Sequence, residues 1–78
     1  MENTTDEQAI QMVLGAMNAQ ADGANLNVPD FLKREVFKSH NAPFVRIIEE
    51  MVQLGYIRLD VRSNNHVITT AGRNAVTA

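Results

Sequence analysis

The feature that most constrains the fold of this chain is a change in hydrophobic period at Gly55. Before this glycine, apolar residues recur at the three- and four-residue spacing of a helix face, in Phe44, Ile47, Ile48 and Met51. After it, residues 56–61 alternate apolar and polar side chains, which is typical of a strand with one buried face. The sequence therefore predicts a helix that ends at Gly55 and leads directly into a β-strand.

A first helix is predicted near the start of the chain by a capping box. Thr5 is followed three residues later by Gln8, and two acids lie between them, where the helix dipole favours negative charge. Apolar residues continue at helical spacing toward Asp22, and Gly23 is a typical helix terminator. We therefore expect a helix from about Thr5 to Asp22 that stops at Gly23.

Two shorter helices are predicted before the strand. Asn27 is expected to cap the second helix, which has a proline in its first turn. Asn41 is expected to cap the third helix, which begins near Ala42 because Pro43 fits only a first helical turn.

A β-hairpin and a short closing helix complete the prediction. The alternation places Ile57, Leu59 and Val61 on the inward face of the first strand. Residues 62–66 form the turn, since Asn-Asn tolerates the left-handed backbone of a hairpin tip, and residues 67–69 return as the second strand. Thr69 or Thr70 caps a final helix that extends to about residue 76. The expected fold class is mainly α with a small β-hairpin.

Length and composition bound the kind of protein this is. A chain of 78 residues has room for one core, so residues 1–78 are expected to form a single domain, with residues 1–4 disordered. The absence of cysteine excludes disulfides, thiolate metal sites and cysteine nucleophiles. The longest apolar run is Met12-Val13-Leu14, too short to span a membrane, and no secretion signal opens the chain. We expect a cytoplasmic protein.

Charge is distributed unevenly along the chain, although the net charge is only -2. Residues 1–32 contain five acids and no lysine or arginine, whereas residues 33–78 contain all seven bases and four acids. If the fold separates these two parts, one face attracts phosphate while the whole molecule remains acidic.

Two stretches carry a resemblance to a known superfamily. Residues 47–57, IIEEMVQLGYI, resemble the end of a winged-helix recognition helix, and residues 68–73, ITTAGR, resemble the Leu-Thr-x-x-Gly-Arg that closes the wing in MarR-like and PadR-like regulators. Together with the order of the predicted elements, the match covers about residues 27–74. The chain thus resembles a winged helix-turn-helix domain with three helices, a hairpin wing and a short C-terminal helix.

The resemblance implies binding of double-stranded DNA and regulation of transcription, in a protein associated with the nucleoid. In such domains the third helix enters the major groove and the wing contacts the backbone or the minor groove. The implied groove-facing residues of the third helix are Asn41, Pro43, Arg46, Glu50 and Gln53. The implied wing-tip residues are Arg62, Ser63, Asn64, Asn65 and His66. The implied flanking phosphate contacts are Lys33, Arg34 and Lys38.

An alternative function is protein recognition without DNA binding. Val45 and Val52, together with Glu49 and Glu50, are expected to give the third helix an exposed acidic and apolar surface. Carboxylates on this helix repel phosphate, and Arg46 could pair with one of these glutamates instead of a base.

The first helix suggests a homodimer. Its apolar arc is wider than a small domain usually needs, and one flank contains small residues at three- and four-residue spacing, namely Ala9, Met12, Ala16 and Ala19. Either this flank docks on a second copy of the chain or the helix is wedged into its own core. A dimer on two half-sites would compensate for the small number of bases in one chain.

We expect neither an enzyme nor a cofactor or metal protein. Ser39 and His40 are neighbours in sequence and lack an orienting acid, so they do not predict a catalytic dyad. His40 and His66 lack the spacing of metal ligands on a helix. The glycines are isolated and form no phosphate-binding loop.

Overall fold

Four α-helices and one antiparallel hairpin make up the computed structural model, which describes residues 4–20, 24–39 and 41–76. The elements in chain order are α1 (Asp6–Asn18), α2 (Val28–Phe31), a π-helical segment (Leu32–Val36), α3 (Phe44–Gln53), β1 (Ile57–Asp60), β2 (Asn65–Ile68) and α4 (Thr70–Ala75). This confirms the expected mainly α fold with a small hairpin. Of the four residues expected to be disordered only Thr4 is described, and it is half-buried.

The start of α1 is fixed by the predicted capping box. The Thr5 Oγ1 accepts from the Gln8 backbone N–H at 3.1 Å, and the Gln8 Oε1 accepts from the Thr5 N–H at 2.9 Å. Two of the four N–H groups that a helix start leaves without partners are thus satisfied.

The end of α1 differs from the prediction. The helix stops at Asn18 instead of Asp22, and Gly23 lies outside the described residues. At this end Arg73 of α4 contacts α1, because its Nη1 donates to the Asn18 Oδ1 at 2.8 Å and to the Asn18 carbonyl at 3.4 Å. A distant cation therefore caps the free carbonyl end of α1.

The second and third helices begin with different caps. Asn27 caps α2 as predicted, its Oδ1 accepting from the Asp30 N–H at 3.1 Å. The prediction that Asn41 caps α3 is wrong, because Pro43 occupies the N-cap position and the Asn41 N–H donates to the Ser39 Oγ at 3.0 Å. Ser39 thus holds Asn41 within the turn that precedes α3.

The core forms mainly between α1 and the elements around it. It consists of Ala9, Ile10, Val13, Leu14, Met17, Val28, Leu32, Val36, Ile47, Met51 and Ile57. Full burial of such an aliphatic side chain contributes about 1.5–3 kcal/mol, offset by the loss of chain entropy. Leu54, the C-cap residue of α3, is 51% exposed.

The hairpin has the predicted direction, but its bounds and burial differ: β1 is shorter than residues 56–61, and β2 begins at Asn65, so the turn is residues 61–64 instead of 62–66. Its strands pair with Ile57 opposite Ile68 and Asp60 opposite Asn65. Of the three residues predicted to face inward, Ile57 is buried, whereas Leu59 is 49% and Val61 86% exposed. The prediction is wrong for these two because the hairpin extends past the core, and no described element covers its outer half.

An isolated β-bridge joins the hairpin to the loop before α2. Leu26 pairs with His66 through two backbone bonds, from the Leu26 N–H at 2.8 Å and from the His66 N–H at 3.1 Å. The loop between α1 and α2 is therefore joined to the outer edge of β2. This link adds to the contacts that the hairpin makes with α1, α3 and α4.

The junction between α3 and α4 is tightly packed. Gly55 adopts a φ of 79° and turns the chain out of α3, as predicted. The Thr69 Oγ1 donates to the Gly55 and Tyr56 carbonyls and accepts from the Gly72 N–H, so Thr69 is the cap of α4. These bonds connect the end of α3, the end of β2 and the start of α4.

Candidate nucleic-acid interface

The outer face of α3 is open within the part of the chain that the structure describes. Val45 is 68% and Val52 45% exposed, and Arg46, Glu49 and Gln53 are exposed as well. Glu50 is half-buried and lies at the edge of this surface. The face that would meet a duplex therefore combines two valines, one exposed carboxylate, one guanidinium and one amide.

Arg46 is tied to the start of α1. Its Nη2 donates to the Asp6 Oδ1 at 2.9 Å, with the two side chains 63% and 37% exposed. The alternative pairing with Glu49 or Glu50 is wrong, since Asp6 is the acid in contact. To read a guanine, Arg46 would have to leave this carboxylate.

The cations on the α2 side of the interface are not equivalent. Arg34 pairs with Asp30 at 2.7 Å and with Glu35 at 3.5 Å, so its charge is largely compensated. Lys33 and Lys38 form no ion pair with any described residue. Lys38 is exposed with a φ of 54°, in the turn that leads toward α3.

An acid organises the hairpin turn. The Asp60 Oδ2 accepts from the Ser63 hydroxyl at 2.9 Å, and the Asp60 Oδ1 accepts from the Arg62 backbone N–H at 3.3 Å. The Asn65 Nδ2 donates to the Asn25 Oδ1 at 3.1 Å. The side chains of Ser63 and Asn65 are thus already occupied within the protein, which reduces their value as phosphate contacts.

Two arginines of the hairpin region carry uncompensated charge. Arg62 in the turn and Arg58 in β1 are exposed, and neither forms an ion pair among the described residues. Arg58 was not among the predicted site residues. The sequence does indicate that Arg58 is exposed, because successive side chains of a strand point to opposite faces and Ile57 is buried.

The remaining predicted contacts lie in the turns and at the end of α3. Asn64 adopts a φ of 62° at the hairpin tip, the left-handed backbone that the sequence predicts for the Asn-Asn pair. Gln53 is the last residue of α3 and is exposed. Asn41 is exposed before α3, and His40 lies outside the described residues.

His66 occupies a more interior position than a wing tip would require. It is half-buried in β2, and its Nδ1 has no hydrogen-bond partner among the described residues. Burial lowers the pKa of this imidazole below its usual value. The neutral form is therefore favoured, which makes His66 a poor phosphate ligand.

The proposed dimer flank of α1 is only partly available. Ala9 is fully buried in the core of its own chain and cannot contact a second copy. Met12 is 44% exposed, Ala16 is half-buried and Ala19 is exposed. Any dimer contact on this flank therefore depends on Met12, Ala16 and Ala19.

Known proteins offer no close parallel to this arrangement. No protein-family model matches the chain, and no curated protein or solved structure is significantly similar to it. Among the described residues, every helix falls short of the length and apolar character that a membrane span requires. Nor do the described residues bring together three or more side chains of the kinds that hold a metal ion.

Proposed function

We propose that this chain binds double-stranded DNA through the outer face of α3 and the β1–β2 hairpin, as a small regulator of transcription with a winged helix-turn-helix architecture. Under this proposal it is a cytoplasmic, nucleoid-associated protein without enzymatic activity or a cofactor. The order of α1, α2, α3 and hairpin, with a β-bridge from Leu26 to β2, is compatible with that architecture.

One observation supports the proposal most strongly. The outer face of α3 is open, and cations without an acidic partner among the described residues lie in the π-helical segment and turn before it and in β1 and the hairpin turn after it. These cations are Lys33, Lys38, Arg58 and Arg62. Such a distribution allows phosphate contacts on both sides of an inserted helix.

The charges of the interface determine how DNA would be bound. Four uncompensated bases can neutralise about four phosphates, so one chain binds weakly and with strong salt dependence. Base reading is left to Gln53 and to Arg46 once it separates from Asp6, while Glu49 can accept from cytosine. Two copies associated through Met12, Ala16 and Ala19 would double the phosphate contacts, and a homodimer is therefore part of the proposal.

Removal of single charges tests this proposal. Arg58→Ala and Arg62→Ala should each weaken binding to all duplexes alike and reduce the salt slope by about 1. Arg34→Ala is the matched control, because it removes the same charge from a residue already paired with Asp30 and Glu35. An equal loss in all three variants would show that only net charge matters and would contradict the assigned interface.

A second candidate function is favoured by the two exposed valines of α3. Val45 and Val52 lie on the face that would contact DNA, beside the exposed carboxylate of Glu49. A protein partner with an apolar and basic surface would complement them. Replacing both valines by serine should abolish such an association while leaving phosphate-dependent DNA binding nearly unchanged, so this double variant separates the two functions.

A further inference from the structure

A groove that the DNA-binding proposal does not use lies between α1 and α3. Its volume is about 480 Å³, within the range typical of small-molecule sites. The first two turns of α1 form one wall, and the end of α3 with the residues that follow forms the other. Its apolar lining residues are Ile10, Leu54 and Tyr56, of which Leu54 is 51% exposed and Ile10 is buried.

Two carboxylates border this apolar groove from opposite walls. Glu7 lies on the α1 side and Glu50 on the α3 side, and neither forms an ion pair with a described residue. The groove is therefore apolar along its floor and negatively charged on both sides. An occupant that complements it has two positive groups joined by an apolar body.

The helix backbone and the glutamine side chains also contribute to the preference of the groove for a positively charged occupant. The C-terminal end of α3 lies at the groove and carries the negative end of its helix dipole. The positive end of α1 is offset by the capping box and by its first-turn acids. Gln8 and Gln11 also line the groove, and both take part in hydrogen bonds within the protein. These amides therefore form a fixed polar wall.

We propose that this groove binds a linear alkyl diamine or polyamine, with its ammonium groups beside Glu7 and Glu50 and its methylene chain over Ile10 and Leu54. The size of the groove and the charge on its two sides support this class of ligand. The proposal does not depend on DNA binding. If the protein binds both the diamine and DNA, the two ligands contact α3 from different sides. By linkage, the factor by which the diamine changes the affinity of the protein for DNA equals the factor by which DNA changes its affinity for the diamine.

Titration of the isolated protein with 1,8-diaminooctane tests the site directly. At low ionic strength we expect saturable binding by calorimetry, with NMR shift changes centred on Ile10, Leu54 and Tyr56. Octylamine, which has one ammonium, should bind more weakly, and 1,8-octanediol, which has none, should not bind measurably. Because no DNA is present, the outcome is independent of the proposed DNA-binding function.

Charge-neutral variants locate the ligand. Glu7→Gln and Glu50→Gln should each weaken diamine binding roughly two- to fivefold, the range expected for partly exposed ion pairs. Glu49→Gln is the matched control, because it removes the same charge from the neighbouring position on α3, outside the groove lining. The Glu49→Gln variant should bind the diamine as tightly as the parent protein does.

Three results would overturn the proposal. The first is equal weakening by Glu49→Gln, which would mean that the diamine responds only to net charge. The second is binding of octylamine as tight as that of the diamine, which would remove the role of paired carboxylates. The third is shift changes confined to residues away from the groove.

Discussion

Arg46 and Asp6 join the third helix to the start of the first through a bond of 2.9 Å. The pair connects residues 40 positions apart in sequence and lies at the surface, where ion pairs contribute roughly 0.2–1 kcal/mol. It also occupies the one arginine on the outer face of α3. Direct base recognition by Arg46 would therefore require this contact to break.

Release of Arg46 should strengthen DNA binding. Asp6→Asn removes the partner carboxylate, so we expect a lower free energy of unfolding by less than about 1 kcal/mol and tighter binding to duplex DNA. Glu7→Gln is the control, since it removes a neighbouring charge that does not contact Arg46. Fluorescence anisotropy with a labelled duplex provides the measurement. If both variants tighten binding equally, the release of Arg46 is not the cause.

The two helical glycines should respond oppositely to alanine. At Gly72 an added Cβ would lie 2.7 Å from the Ile68 Cγ1 and would also meet the Tyr56 carbonyl, so Gly72→Ala should cost about 1–3 kcal/mol or more. At Gly15 nothing lies within 4 Å of an added Cβ, so Gly15→Ala should stabilise α1 by about 0.5–1 kcal/mol. Urea denaturation measures both, and a stable Gly72→Ala variant would contradict the tight α3–α4 junction.

The lowered pKa of His66 predicts that the free energy of unfolding decreases in mildly acidic solution. Burial lowers its pKa in the folded state, so the unfolded chain binds the proton more readily. The contribution of neutral His66 is complete above the unfolded pKa of about 6.5 and is lost as the pH falls from there toward the lower folded pKa. Unfolding measured between pH 8 and about pH 5 should show this decline, and His66→Gln should flatten it. An unchanged profile in the variant would assign the decline to other groups.

The flank of α1 makes a prediction about association. Met12 is 44% exposed, so Met12→Glu should leave the chain folded. If the homodimer forms through this flank, the variant should be monomeric at concentrations where the parent sediments as a dimer. If the parent protein remains monomeric at high concentration, the homodimer proposal is wrong, and any DNA binding would be by single chains.

Local signals in the sequence predict much of the fold. Thr5 with Gln8, Asn27, Gly55 and Thr69 act on backbone groups a few residues away, so their roles follow from residue type and spacing. At the end of α1, where the predicted boundary is wrong, a distant residue makes a contact. Arg73 meets Asn18 across 55 positions, and no local pattern indicates such a contact.

The candidate site was only partly predictable from the sequence. Residue type identifies Arg34, Arg46 and Ser63 as candidate DNA contacts, but each is bound by an acid. Asp30 and Asp60 lie within four residues of Arg34 and Ser63, so local spacing can indicate these two contacts, whereas Asp6 meets Arg46 across 40 positions. Alternation likewise assigns Leu59 to a face without showing whether another element covers that face. The contacts that remain best supported are those whose side chains have no acidic partner among the described residues.

The salt dependence of binding to a duplex of random sequence tests the central claim most directly. With three to four phosphates neutralised by each chain, the account predicts a linear decrease of log affinity with log salt concentration and a slope of roughly -3 for each bound chain. Arg58→Ala and Arg62→Ala should each make the slope shallower by about 1. Absence of measurable binding at low salt, or a slope that neither substitution changes, would contradict the assignment of α3 and the hairpin to DNA.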